Sequence, residues 1–209
     1  MNAFHSKRKM FNFIQARKNN KSLAIFEFYM ISISEFIQLQ PITFEDQSRL
    51  VSLMKRIYPA TYRYMWKNED CSFYFERFYS MDNLKKELAE TEAEYYFIHS
   101  KNDLIGILRA HFNKMLKSMP EKSACYLNRI YLSEETQGKG IAKKLMEWVE
   151  KKAKLKGNEI IWLEAMDSKE QALKFYAKYG FSKSHKAYLD FEPLLEQFRG
   201  MDVLYKVLK

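Results

Sequence analysis

The sequence predicts an α/β fold in which helices flank a mixed sheet with at least one β-α-β crossover. One observation is the alternation of apolar and polar residues in several short segments, which is typical of half-buried strands. A second is a strong amphipathic helix between two apolar segments within residues 123–166, as in a crossover between parallel strands. The third is the composition: 209 residues, 47% hydrophobic and 29% charged, are typical of one globular domain.

The first half of the chain is predicted to form a strand, then helices, then a hairpin. Residues Phe36–Ile42 alternate as a strand does, and Thr43 with Asp46 forms a capping-box pattern that predicts a helix through about Ile57. Residues 58–80 are rich in aromatic side chains and are expected to be helical in part. The further elements are a short helix over Asp82–Thr91 and a hairpin of Glu94–Ser100 and Leu104–Phe112.

The second half alternates strands and helices. Ser123–Leu132 is apolar on both faces, which predicts a central strand. Ile141, Leu145 and Val149 repeat every four residues and predict a helix that ends at Gly157. The remaining elements are a strand over Glu159–Met166, a helix opened by a capping box at Ser168 and Gln171 and ended by Gly180, and strands over His185–Phe191 and Asp202–Val207.

The net charge of +9 and the 16% of aromatic residues suggest a nucleic-acid binder at first sight. However, residues 1–29 contain six basic residues and one acidic residue, and so carry five of the nine excess charges. No nucleic-acid-binding motif accompanies the charge, and no nucleic-acid partner is predicted. Residues 1–35 are interpreted as an N-terminal extension, either a mobile tail or a segment upstream of a start at Met30, and residues 36–209 as the domain.

The cysteines and the apolar segments indicate a protein of a reducing compartment. Cys71 and Cys125 form neither a disulfide framework nor a C-x-x-C pair. The most apolar segment, Leu23–Ile37, is interrupted by Glu27 and Glu35, so no membrane partner is expected. The basic N-terminus lacks the cleavage site of a signal peptide. A cytoplasmic location is therefore predicted, and a homodimer is left open.

The most specific local signal is Gln137-Gly-Lys-Gly-Ile-Ala142, between a predicted strand and a predicted helix. Its two glycines let the backbone turn tightly and approach a ligand closely. The following helix N-terminus has unpaired N–H groups and a positive dipole end. The segment therefore predicts a cradle for an anion such as phosphate, with a glycine-rich turn that binds nothing as the alternative. It is neither a P-loop nor a dinucleotide-binding fingerprint, which needs a third glycine at position 143.

Two motifs together resemble the GNAT family of N-acetyltransferases. Gln137, Gly140 and Ala142 meet its (Q/R)-x-x-G-x-(G/A) signature, and Ala172–Phe181 resembles its A-x-x-x-Y-x-x-x-G-F ending some 35 residues later. The resemblance covers about residues 36–209. It implies a mixed, mostly antiparallel central sheet with flanking helices and a β-α-β core that binds acetyl-CoA. The segments that resemble the bacterial spermidine/spermine N-acetyltransferase branch are Asn83–Leu88, Tyr95–Ile98, Asn128–Tyr131 and Ile161–Leu163.

The resemblance implies a role for each motif residue. Backbone N–H groups from Gly138 to Ala142 would hold the pyrophosphate of acetyl-CoA, the acyl-donor cosubstrate, and Lys139 would add a charge. The Leu132 N–H would polarise the thioester carbonyl. Tyr176 would protonate the departing thiolate, because a phenol remains a donor at neutral pH. The full set implied to bind the donor is Ile130, Tyr131, Leu132, Gln137, Gly138, Lys139, Gly140, Ile141, Ala142, Lys169 and Tyr176.

The sequence departs from the family's pattern at two positions. Lys169 lies nearest to where the family often has an Asn that contacts the pantetheine, and Asn128 lies where it often has a Glu before Arg-Ile-Tyr. The general base must then come from elsewhere. Glu164 is the first candidate and His111 the second, with a structural role as the alternative for each. No histidine has metal-ligand spacing, so no metal is predicted.

The resemblance predicts an enzyme, an acetyl-CoA-dependent N-acetyltransferase. Its acceptor is expected to be a primary amine of a small, polyamine-like molecule, which would attack the thioester directly in a ternary complex. Aromatic and acidic residues over Tyr58–Ser80 suit a cationic amine, with core packing as the alternative. Two other functions stay open: an N-acetyltransferase of protein amino groups, and a non-catalytic acyl-CoA-binding regulatory module.

Overall fold

The computed structural model describes residues 30–208, which form eight strands and five α-helices. The strands are β1 (Ile31–Ser34), β2 (Ile37–Pro41), β3 (Ala93–Ser100), β4 (Asp103–His111), β5 (Ala124–Leu132), β6 (Ile160–Met166), β7 (Ser182–Tyr188) and β8 (Gly200–Val207). The helices are α1 (Gln47–Tyr62), α2 (Ser72–Tyr79), α3 (Met81–Ala89), α4 (Ile141–Leu155) and α5 (Glu170–Lys178). Strand β1 falls within the predicted extension 1–35, of which residues 1–29 lie outside the described part of the chain.

The eight strands form a single sheet in the order β1-β2-β3-β4-β5-β6-β8-β7. Pairing is antiparallel from β2 to β5 and again between β6, β8 and β7, whereas β5 and β6 are parallel. Helix α4 makes the connection from β5 to β6. The predicted α/β fold, with a mostly antiparallel sheet and one β-α-β core, is confirmed.

The parallel pair β5/β6 separates soon after it forms. Its register covers only Ala124–Tyr126 against Ile160–Trp162, although β5 continues to Leu132 and β6 to Met166. On its other side β5 stays paired with β4, but the register shifts by one residue between Arg109 and Ala110, which leaves Asn128 as the extra residue of a β-bulge. A bulge increases local twist and bends its strand. Beyond Tyr126 and Trp162 a wedge is open between β5 and β6, next to this bulge.

Most of the predicted elements form, with bounds that differ by a few residues. The capping box of Thr43 and Asp46 forms: the Thr43 N–H donates to Asp46 Oδ2 at 2.9 Å. It opens a single 3₁₀ turn, and α1 follows directly and runs to Tyr62, five residues beyond Ile57. The capping box predicted at Ser168 is wrong. Helix α5 begins at Glu170 without a side-chain cap.

The helices pack on the sheet as their patterns require. Leu145, Met146 and Val149 of α4 are fully buried, so the apolar stripe read from the sequence is the face that contacts the sheet. Helices α1, α2 and α3 enclose a second core rich in aromatic rings, which includes Tyr58, Trp66 and Tyr74. Within residues 30–208, every helix is too short or too polar to cross a bilayer.

Candidate active site

A cavity of about 250 Å³ lies where β5 and β6 diverge. Its walls come from both diverging strands, from the N-terminal helices α1 and α2 with the loop between them, and from α5. Among the residues singled out from the sequence, those that line the cavity are Ile130, Tyr131, Glu164, Lys169 and Tyr176. Leu132 and the segment Gln137–Ala142 lie outside its walls. The structure therefore brings the proposed acid and the first candidate base to one place.

The edge of β5 that faces the wedge carries backbone groups without a strand partner. The Ser133 N–H donates to the Ile105 carbonyl at 2.8 Å, and Leu132 lies opposite Gly106. Hydrogen-bonded and non-hydrogen-bonded pairs alternate along antiparallel strands. The N–H groups of Leu132 and, two residues earlier, Ile130 therefore point away from β4 and into the wedge. This edge can pair with an extended chain laid along it, as a further strand would.

The glycine segment forms an open turn at the N-terminus of α4. Gly138 and Gly140 have φ of +73° and +72°, and no atom lies within 4 Å of where a Cβ would be on either residue. The Lys144 N–H donates to the Gly140 carbonyl at 3.2 Å as the first bond of the helix. The N–H groups of the three preceding helical residues, Ile141 to Lys143, are thus free of helix partners. With exposed Gln137 and Lys139 beside it, the turn is suited to an anion.

Tyr176 projects from α5 into the cavity and is half-buried. Burial, with a smaller contribution from the nearby Tyr131, raises the pKa of the Tyr176 phenol to about 12. Its ring is held edge-on by Phe175 and Phe181, with centroids 5.4 and 5.6 Å away. A phenol with this pKa is protonated throughout the neutral range, so Tyr176 can donate a proton but cannot act as a base there.

Glu164 is the acidic residue of the cavity wall, among the residues that the structure describes. It lies on β6, past the last residue that pairs with β5, and is exposed. The Tyr126 hydroxyl donates to Glu164 Oε2 at 2.5 Å across the wedge. An exposed carboxylate of this kind can bind an ammonium group and accept a proton from it.

The second candidate base, His111, lies away from the cavity. It ends β4, and its Nε2 is 3.7 Å from Glu90 Oε2. Partial burial lowers its pKa, and Glu90 opposes that change. Its Nδ1 accepts a hydrogen bond from the Asn113 N–H at 3.3 Å. These contacts support a structural role at the end of the strand.

Lys169 lines the cavity, but its ammonium group binds the end of α1. Its Nζ donates to the Thr61 carbonyl at 2.6 Å and lies 4.9 Å from the ring centroids of both Tyr62 and Tyr64. The lysine thus joins the start of α5 to the end of α1. Lys169 also occupies the N-cap position of α5, and its ammonium group, which has no acceptor, cannot cap the free N–H groups of the helix.

Aromatic residues form the wall opposite β6. Tyr58 stacks on Tyr62 and Tyr74, with centroids 4.7 and 3.9 Å apart, and the Tyr74 hydroxyl donates to Tyr131 at 2.8 Å. The sequence left two interpretations of this region open, core packing and the wall of a substrate site. In the structure the rings belong to the buried core and also line the cavity. The cluster already contacts one cation, because the Lys169 ammonium lies over the Tyr62 ring.

Sequence reasoning missed a buried charge network that reaches the cavity wall at Asn128 and Arg129. Arg129 donates to Glu87 at 2.7 Å, and Arg109 donates to Glu90 and to the Asn128 side-chain oxygen, each at 2.8 Å. Both arginines are under 10% exposed. The available signal was an arginine in the middle of each apolar strand, because a buried arginine requires a carboxylate partner. Tyr126 was also missed, and no sequence signal distinguished it from other strand aromatics.

The wedge between β5 and β6, followed by the glycine turn at the N-terminus of α4, is the arrangement that the sequence resemblance implies for an acyl-CoA-dependent acyltransferase. Residues 54–181 match the acetyltransferase (GNAT) family, and the chain belongs to that family. Membership confirms the predicted N-acetyltransferase class and acetyl-CoA as the acyl donor. In residues 30–208, no three His, Cys, Asp or Glu side chains are grouped so that they could hold a metal ion.

Comparison with known proteins extends the likeness over most of the chain. An uncharacterized N-acetyltransferase from the pepI 3′ region of Lactobacillus delbrueckii subsp. lactis is 22% identical over 147 residues, 70% of this chain and 85% of that protein. The PaiA N-acetyltransferase of Thermoplasma acidophilum, solved with coenzyme A, has a TM-score of 0.62 and 21% identity. The match covers 82% of this chain and 98% of that protein. The spermidine N-acetyltransferase of Vibrio cholerae, solved with coenzyme A and spermine, has a TM-score of 0.59 and 17% identity, with coverages of 84% and 97%.

Proposed function

We propose that this enzyme transfers the acetyl group of acetyl-CoA to the primary amine of a small, polyamine-like molecule, by direct attack in a ternary complex. One observation carries the proposal. A single cavity presents the Tyr176 phenol, the Glu164 carboxylate and the unpaired edge of β5 to the same space. These are a proton donor, a proton acceptor and a positioning surface, which together suffice for acyl transfer to an amine.

The donor is placed by backbone groups on two elements. The free N–H groups between Gly138 and Ala142 hold the pyrophosphate, and the Lys139 side chain adds a positive charge. The Lys139 N–H itself donates to the Thr136 carbonyl at 3.3 Å and takes no part. The pantetheine arm lies in the wedge along Ile130–Leu132 and pairs with the strand edge that β6 leaves free. The Leu132 N–H then points at the thioester carbonyl, where negative charge develops during attack.

The proton transfers follow from the two side chains. Glu164 takes one proton from the substrate ammonium, and the neutral nitrogen forms a bond to the acetyl carbonyl carbon. The carbon–sulfur bond then breaks, and Tyr176 gives its proton to the departing thiolate. The attacking nitrogen loses its second proton, which restores Tyr176 through solvent. The balance is one amide, one thiol and one proton released from Glu164.

The wall of the cavity supports a cationic acceptor. Glu164 supplies an ion-pair partner for an ammonium group, and the rest of the wall is rich in aromatic side chains. Spermidine N-acetyltransferases recur among the structures with this fold, including the Vibrio cholerae enzyme with spermine. Together with the sequence segments that resemble the same branch, this makes polyamines the first acceptors to test.

The test measures thiol release from acetyl-CoA across polyamines, simple monoamines and peptides. We expect turnover with spermidine or spermine, and a fall in kcat of about 10²-fold or more in Tyr176→Phe, because general-acid catalysis contributes at least that much. Tyr188→Phe is the matched control, since Tyr188 is 74% exposed and lies outside the cavity. Turnover with peptides alone would assign the enzyme to protein amino groups, and CoA binding without any turnover would indicate a regulatory module.

A further inference from the structure

Beyond the residues that the chemistry requires, the base itself is held by a neighbour. We propose that Tyr126 is a positioning residue that holds Glu164 in the orientation in which the carboxylate accepts the substrate proton. The proposal rests on the proposed function. The motif residues do not include Tyr126, which lies on β5 just before the bulge.

Tyr126 is itself rigidly placed at the closed end of the wedge. It belongs to the last pair of the parallel register, opposite Trp162, and the two rings stack with centroids 4.0 Å apart and planes 17° apart. The Trp162 indole N–H donates to the Lys114 carbonyl at 2.8 Å, which anchors the stack to the β4–β5 connection. The hydroxyl therefore has a defined position from which it reaches forward along the wedge.

The hydroxyl uses that position to bind one oxygen of Glu164. Tyr126 donates to Oε2 at 2.5 Å, while Oε1 has no hydrogen-bond partner among residues 30–208. Burial and the adjacent carboxylate raise the pKa of Tyr126 well above its usual value, so the phenol stays a donor at every working pH. A donor fixed on one oxygen directs the free lone pairs of the other towards the cavity. Without it, an exposed glutamate samples several rotamers.

The other charged groups around Glu164 have partners of their own. Arg129 is bound to Glu87, and Lys169 is bound to the Thr61 carbonyl. On the opposite side β8 presents the uncharged Val203 in register with Glu164. The remaining titratable groups of the wall are phenols, which are Tyr58, Tyr62, Tyr74, Tyr131 and Tyr176. Tyr126 is thus the donor that controls this carboxylate.

The experiment compares Tyr126→Phe with Tyr96→Phe. The first variant keeps the ring that stacks on Trp162 and removes the hydroxyl. The second removes another tyrosine–glutamate hydrogen bond of the sheet, from Tyr96 to Glu94, which lies outside the cavity. We expect Tyr126→Phe to lower kcat about tenfold, the effect of losing one hydrogen bond to a charged group, with little change in KM for acetyl-CoA. Tyr96→Phe is expected to lower stability and leave kcat unchanged.

The split between kcat and KM separates positioning from a structural role. If the hydroxyl only orients Glu164, Tyr126→Phe lowers kcat and leaves KM for the amine close to that of the wild type, because the carboxylate and its charge remain in the cavity wall. Tyr96→Phe is expected to keep both constants. An unchanged kcat in Tyr126→Phe would overturn the proposal.

A double-mutant cycle covers the case in which Tyr126→Phe is poorly folded. Glu164→Asp keeps the carboxylate but shortens the side chain, so it is expected to reproduce the loss of kcat that Tyr126→Phe causes. Adding Tyr126→Phe to Glu164→Gln is expected to cause no further loss, because the hydroxyl acts only through the carboxylate. Additive losses would refute the coupling. Full activity in Glu164→Gln would show that Glu164 is not the general base and would overturn this proposal. A wild type that is inactive on every amine would instead refute the proposed function.

Discussion

Replacing Gly140 by alanine tests the glycine turn as the phosphate cradle. Gly140 has φ of +72°, and nothing lies within 4 Å of an added Cβ, so the substitution causes backbone strain without a clash. Gly157 at the other end of α4 is a matched control, because its φ is +79° and its surroundings are equally open. Any difference between the two variants therefore reports on the ligand and not on the strain.

The expected magnitudes differ for stability and for binding. An alanine in the left-handed region costs about 1–2 kcal/mol at either site. For a protein of this size, that lowers Tm by roughly 2–8 °C in both variants. Gly140 belongs to the proposed cradle, so strain at this residue is also expected to displace an N–H donor from the phosphate. Losing one hydrogen bond to a charged phosphate costs about 1.5–3 kcal/mol, which is roughly a 10- to 100-fold rise in Kd for CoA.

The assay combines thermal unfolding with calorimetric titration of CoA into each variant. Gly140→Ala and Gly157→Ala are expected to lose similar stability, and only Gly140→Ala is expected to lose affinity. An equal CoA affinity in both variants, or a loss at Gly157 alone, would refute the placement of the phosphates at this turn.

Three further predictions concern stability. Gly106→Ala places a Cβ 2.1 Å from the Tyr131 carbonyl oxygen, so the strands must shift, and we expect chemical denaturation to show a loss of about 1–3 kcal/mol. Glu87→Gln removes the carboxylate that Arg129 binds at 2.7 Å and is expected to cost about 3–5 kcal/mol; a loss below about 1 kcal/mol would contradict a buried ion pair. Stability is expected to be fully present below pH 10.0 and to fall towards pH 12 in urea titrations, because folding raises the pKa of Tyr176 from 10.0 to about 12 and the unfolded chain ionises first. A denaturation midpoint that is constant between pH 10 and pH 12 would contradict the burial of the Tyr176 phenol.

Local patterns in the sequence were sufficient for the elements and for the glycine turn. The apolar repeat at Leu145 and Val149 defines the buried face of α4, because helix periodicity fixes which side chains share a face. Gly138 and Gly140 adopt positive φ, as the tight turn predicted from these two glycines requires. The capping box at Ser168 was wrong because α5 begins at Glu170 and places Lys169, which has no acceptor, at the N-cap position. The contact of the Lys169 side chain with the Thr61 carbonyl, 108 residues away in sequence, also has no local pattern that predicts it.

The residues around the base depend on tertiary geometry. Nothing in the sequence showed that β5 and β6 separate after Tyr126 and Trp162, because strand pairing joins residues that are distant in sequence. The same holds for the contact of Tyr126 with Glu164 and for the position of His111 away from the cavity.

The sequence by itself therefore determined the α/β fold, the GNAT resemblance and the glycine turn, and it supplied Tyr176 as the proposed acid. These are properties of short segments, whose spacing alone sets their geometry. Only the tertiary structure decided that Tyr176 and Glu164 share one cavity. That outcome depends on where strands part and on contacts between distant residues, and both are set by the packing of the whole sheet.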